Sequence, residues 1–196
     1  MRTLRISKAD LDKDNFYNGK EILSDYSNPF DGHVEIDENL GTVRFKTSLV
    51  VTGSISAKTD SGIEAGEGIE AGSGIKAGWG IKAGWEITAG LGIKAGLGIK
   101  AGLGITAGEG ITAGLGIKAG WEITACLGIK AGLGIFCKLI LSFKYNLFAG
   151  TSCWKKAKGD DKKIICGKLQ GGEVKYGDVK ETGLPEELGG LIKQLT

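Results

Sequence analysis

Between Gly62 and Leu139 the apolar positions recur with a six-residue period. The hexads read GIEAGE, GIEAGS, GIKAGW, GIKAGW, EITAGL, GIKAGL, GIKAGL, GITAGE, GITAGL, GIKAGW, EITACL, GIKAGL and GIFCKL. Ile holds the second place in all thirteen, and Ala the fourth in twelve, with Cys137 standing there in the last. Such a period does not match the turn of a helix, and two glycines per hexad would each cost about 1 kcal/mol in a helix interior. Strand alternation fits. In Ile-Lys-Ala the first and third side chains point one way and the middle one the other. Ile and Ala then line a thin core, the third place faces out, and Gly takes the corners. A short fixed period of this kind predicts a solenoid in which each coil packs on its neighbours.

The exceptions set the number of hexads per coil. Thr replaces the usual charged residue of the third place at Thr88, Thr106 and Thr124, each three hexads after the one before, and also at Thr112. The block GIKAGWEITAGLGIKAGL at 80–97 recurs six hexads later at 116–133, with Cys126 in place of Gly90. Three hexads per coil satisfies both spacings; two hexads satisfies only the second. The repeat thus predicts three faces, an 18-residue coil and about four and a third coils, or a rod roughly 20 Å long at about 4.8 Å per stacked strand.

Over residues 62–139 the hexads resemble the hexapeptide-repeat parallel β-helices, especially the left-handed family with three hexads per triangular coil. The resemblance implies an all-β, left-handed β-solenoid. The chain departs from the family's usual order, because here the large aliphatic comes first and Ala-Gly follows it.

The outward places carry whatever the solenoid does. In the third place, Lys82, Lys100 and Lys118 fall on one edge of a three-hexad coil. Like charges about 4.8 Å apart repel, so the column is either a solvated surface or a contact for an anionic partner. The sixth place accepts Glu67, Ser73 and Glu109 as well as Trp79, Trp85, Trp121, Leu91, Leu97 and Leu103. A buried unpaired Glu109 would be costly, so this column is expected to be at least partly exposed. Exposed Trp and Leu make an apolar patch, and such patches mark partners. Flanking segments folding over the patch, or two copies of the chain sharing it, would explain it equally.

Outside the repeat, residues 1–61 form an expected N-terminal β cap. The stretch GHVEIDENLGTVRFKTSLVVTGSISAK alternates, and Ile55 and Ala57 already echo the hexad. Residues 140–196 form an expected C-terminal β cap. LSFKYNLF (141–148) alternates, residues 162–181 read as two further strands, and 155–163 is a charged loop. After Pro185 the tail spaces Leu188, Leu191, Ile192 and Leu195 as one side of a short helix.

Bulk properties narrow the function. The net charge of +2 over 196 residues exerts no global pull on nucleic acid or anionic membrane. Counting Gly74 to Leu139 gives seven Lys against three Glu, short of a basic groove for nucleic acid. No apolar run reaches the roughly 18 residues of a spanning helix, and the charged start MRTLRISKADLDKD is not a signal peptide. A cytoplasmic setting with reduced thiols is expected. The four cysteines lack metal spacing, His33 is the only histidine, and no cofactor or metal site is expected. The left-handed hexapeptide family includes acyltransferases that work through histidines, but no histidine lies in these hexads. Threonine-faced ice-binding solenoids are a weak match, because lysine dominates the outward places.

A non-enzymatic, protein-binding solenoid is the expected function. A low-complexity chain without chemistry also resembles, in style, the small inhibitors carried by phages and mobile elements, anti-CRISPR proteins among them. The alternative within the binding class is a self-assembling scaffold similar to bactofilins, or a homodimer.

Overall fold

The computed structural model describes residues 1–22, 28–152 and 158–185. The tail expected to form a helix after Pro185, Cys153, Trp154 and part of the 155–163 loop lie outside the described residues. Within them the chain is an all-β parallel solenoid. Its only helical pieces there are two single 3-10 turns, at Lys8–Asp10 and Gly159–Lys162.

Three parallel ladders run along the rod. One, here the lysine face, stacks eight strands: Gly41–Phe45, Ser61–Ala65, Ile81–Ala83, Ile99–Ala101, Ile117–Lys118, Ile135–Phe136, Lys163–Cys166 and Asp178–Glu181. The threonine face stacks Leu49–Val51, Ile69–Ala71, Ile87–Ala89, Ile105–Ala107 and Ile123–Ala125. The mixed face begins at Arg2–Ile6 and Gly32–Ile36 and continues through Ile55–Ala57, Ile75–Ala77, Ile93–Ala95, Ile111–Ala113 and Ile129–Ala131. The long strand Ile140–Ala149 crosses a corner and joins both of these ladders, pairing Leu141 with Ile123 and Leu147 with Ile129. The strand expected at 141–148 therefore forms, and Lys168–Tyr176 stacks on it in turn.

Register within the repeat is three hexads: Ile87 lies on Ile105, and Ile105 on Ile123. All thirteen repeat isoleucines are at most 1% exposed, and the twelve alanines at most 3%. Burying one isoleucine stabilises by roughly 1.5–3 kcal/mol, and stacking is what supplies the burial. Parallel pairing carries on into both flanks, so the lysine face reaches eight strands. Eight coils at about 4.8 Å make a rod roughly 38 Å long.

The corners are paired as well as the strands. Leu103 N–H donates to the Trp85 carbonyl at 2.6 Å, and Trp121 N–H to that of Leu103 at 2.8 Å. Coils this close explain the two glycines of the hexad differently. A Cβ on Gly102, a fifth-place residue, would lie 1.8 Å from the Gly84 carbonyl oxygen. On Gly98, a first-place residue, it would lie 3.2 Å from the Gly116 oxygen. The first place can take a side chain with a small shift, and it does so at Glu86 and Glu122. The fifth place is the tighter of the two, and within the repeat it takes a side chain at Cys126 and Lys138 only.

The two ends differ. At the N-terminal end residues 7–22 and 28–30 close over the first coil. Tyr17 N–H donates to the Arg44 carbonyl at 2.8 Å, and Phe30 N–H to that of Val50 at 2.9 Å. The Tyr17 and Phe45 rings touch, and the Arg2 guanidinium lies over the Phe30 ring. Ile6, Ile22 and Phe30 are buried there. At the C-terminal end no residue from Lys168 to Glu181 is buried.

Candidate binding edges of the solenoid

Because a coil takes three hexads, the sixth-place residues separate onto three edges. Between the lysine and threonine faces run Glu67, Trp85, Leu103, Trp121 and Leu139, each N–H bonded to the carbonyl of the one before. Between the threonine and mixed faces run Ser73, Leu91, Glu109, Leu127 and Tyr145. The third edge carries Trp79, Leu97, Leu115 and Leu133. The structure therefore brings Trp85, Leu103 and Trp121 together, and places Leu91 on a second edge and Trp79 with Leu97 on a third. Trp79 is one hexad from Trp85, which is one third of a turn.

The edges differ in exposure. Trp85 is 50% and Trp121 55% exposed, and neither indole N–H has a hydrogen-bond partner among the described residues. Trp79 is less open at 37%, and its Nε1 donates to Asp60 Oδ1 at 3.0 Å. Leu103 lies between the two open indoles. These two stand two coils apart, about 10 Å, on a hydrogen-bonded backbone.

Charge segregates around that edge. On its lysine side, Lys82, Lys100 and Lys118 stack in register. Lys82 Nζ also reaches Glu64 Oε1 at 2.5 Å, while Arg44 approaches the other Glu64 oxygen at 3.5 Å. The Lys82 hydrogen bond holds the Glu64 carboxyl below its usual range. Lys100 and Lys118 are exposed. On the other side Thr88, Thr106 and Thr124 stack in register, with Glu70 next in that column and exposed Glu86 and Glu122 beside the indoles. One face of the rod is thus acidic and hydroxylated, and its neighbour is basic. The lysine and threonine columns follow the three-hexad spacing expected from the sequence, and the sixth-place residues obey the same spacing, which sets Trp85 and Trp121 between the two columns.

The remaining reactive groups are structural. His33 Nδ1 accepts from the Ser54 N–H at 3.0 Å and lies 2.9 Å from the Ser54 hydroxyl. Burial pushes the Cys137 thiol up to about 12 and the Cys166 thiol up to about 11, away from the thiolate that would be reactive or bind metal. Cys126 is exposed. Among the described residues no cluster of three or more His, Cys, Asp or Glu could hold a metal ion, and no helix is long and apolar enough to cross a membrane.

No family model, curated protein or solved structure matches the chain. Fold and edges define it as a parallel β-solenoid with three-faced, three-hexad coils.

Proposed function

We propose that this chain is a non-enzymatic protein-binding solenoid and that Trp85, Leu103 and Trp121 form its docking ridge. The carrying observation is the pair of half-exposed indoles on one edge, fixed two coils apart by backbone hydrogen bonds. Aromatic anchors of this kind dominate binding energy at interfaces, and a rigid rod loses little conformational freedom when it docks. The ridge is bordered by Lys100 and Lys118 on one side and Glu86 and Glu122 on the other. It fits an apolar groove with acidic residues on one lip and basic residues on the opposite one. The partner we favour is a bacterial defence complex, as for the phage and mobile-element inhibitors the sequence resembles in style. That choice of partner rests on the resemblance, and the choice of surface rests on the ridge.

Affinity capture from bacterial lysate tests the ridge, comparing the wild-type chain with the Trp85→Ser, Trp121→Ser double variant. A complex of defined stoichiometry, weakened at least tenfold in the variant, is the expected result. Capture of the same complex at equal strength by both chains would refute the assignment. Turnover of an acyl donor by the purified chain would refute the non-enzymatic reading. A second reading, a self-assembling scaffold, is favoured by one observation: no described strand covers the last coil.

A further inference from the structure

We infer that the C-terminal end of the rod is a self-association surface on which two copies of this chain meet end to end as a closed, two-fold dimer. Each face of the solenoid carries two inward columns, one of large residues and one of small ones. The small-residue columns of the lysine and threonine faces finish at Glu181, lying on Cys166, and Gly171, lying on Phe143. The large-residue columns matter most here, and they finish at Leu169, lying on Leu141, at Val174, lying on Leu147, and at Val179, lying on Ile164. Leu169 and Val174 are half-buried and Val179 is 41% exposed, whereas Leu141, Leu147 and Ile164 one coil deeper are fully buried. Among the described residues the large-residue columns therefore end in a partly exposed apolar triangle, with Glu181 and Gly171 beside it. Around it run the outer edges of Lys168–Tyr176 and Asp178–Glu181, which no further strand covers among the described residues. An edge of this kind accepts another strand.

The occupant must close three sides at once. A single added strand or helix closes one of them, whereas a second copy presents a complete coil of the same triangular outline. It presents the same end, because residues 7–22 and 28–30 close the lysine and threonine sides of the other one, where the outer edge of Arg2–Ile6 alone is left without a strand among the described residues. Head-to-tail growth has only that one edge to use, and like-end contact closes with two-fold symmetry. The charges suit a surface that meets itself. Lys168, Lys175 and Lys180 alternate with Glu173, Asp178 and Glu181, three of each sign. Within the chain Glu173 pairs with Lys175, and Asp178 with Lys162, which it would exchange for a residue of the second copy. A two-fold axis across the end makes the pairing antiparallel. The register that sets Val179 of the two copies opposite each other then places Asp178 of each against Lys180 of the other.

Sedimentation equilibrium of the full-length chain tests this. The expected result is a species of twice the 20.5 kDa chain mass, with no larger assembly at higher concentration. Asp178→Lys sets like charges against each other and is expected to weaken the dimer at least tenfold while the circular dichroism spectrum is unchanged. Adding Lys180→Asp to it restores the dimer. Trp85→Ser with Trp121→Ser leaves the dimer intact, so loss of the docking ridge and loss of this contact are separable. A monomer across the concentration range overturns the inference. So does a mass that grows without limit, a dimer indifferent to Asp178→Lys, or one that the tryptophan changes dissociate.

Discussion

Residues 62–139 and the segments on either side stack in the same three ladders, yet they reach that register by different means. In the repeat every coil takes three hexads, with isoleucine, alanine and glycine at fixed places. In the N-terminal flank the coils are slightly longer, as for Val43 on Ile63 and Val34 on Ile55, and Val, Leu and Phe fill the inward places. In the C-terminal flank Ile135 lies on Ile164 across a much longer excursion, and the final coil, from Ile164 to Val179, is shorter than any in the repeat. What is common to all three is an apolar residue facing inward over another one. The hexad itself is one solution to the corner, tight enough to favour a bare backbone at the fifth place, where eleven of the thirteen hexads have glycine.

The largest expected effect separates the covered core from its open end. Ile99→Ala should cost about 2–5 kcal/mol in equilibrium unfolding, because the site is sealed between coils and cannot collapse. Val179→Ala, on the same face but in the last coil, should stay within about 0.5 kcal/mol in the monomer, since the side chain is already 41% exposed. Equal losses at the two sites would contradict the assignment of an open end.

Next comes the pair of glycines. Gly102→Ala should cost about 2–3 kcal/mol by forcing a methyl against a carbonyl, while Gly98→Ala should cost under about 1 kcal/mol. Cys126 approaches the same point from the other side. It occupies a fifth place stacked above Gly108, and its N–H still reaches the Ala107 carbonyl at 3.1 Å. The stack already accommodates this side chain, so Cys126→Gly is expected to lose up to about 1 kcal/mol by thermal unfolding through the added chain entropy. Thiol labelling at mildly alkaline pH provides a check on burial. In a Cys153→Ser background Cys126 should react fully while Cys137 and Cys166, held near 12 and 11, react only on unfolding.

The smallest effect is electrostatic. Lys82 lowers the folded value of Glu64, so the contribution of the pair is complete above the ordinary value of 4.5 and is lost as pH falls through the lower folded value. Lys82→Met should therefore destabilise at pH 7 by less than about 1 kcal/mol and have no effect once Glu64 is protonated. A penalty that persists in acid would mean that Lys82 contributes through packing.

The architecture was legible because the inward places are chemically uniform. Ile at 63, 69 and onward fixed the period, and the threonine spacing gave three faces. The length of the rod was not, because Val34, Val43 and Leu49 stack without a repeated motif, and only the ladders reveal them as coils. The candidate ridge was half legible. Sixth-place exposure followed from the tolerance of Glu109, but Trp79 looked equivalent to Trp85 until the coil turned it onto another edge and Asp60 engaged its indole. The open end was hidden for a different reason. Val179 reads as an ordinary inward valine, and its exposure depends on what stacks beyond it.

Fluorescence quenching of single-tryptophan chains tests the central claim most directly. With the other three tryptophans changed to Phe, Trp85 and Trp121 should each be quenched by acrylamide in the native state at close to half or more of the unfolded rate, in keeping with exposures of 50% and 55%. Indoles that become accessible only on unfolding would show that the edge is sealed, and the docking ridge would be gone.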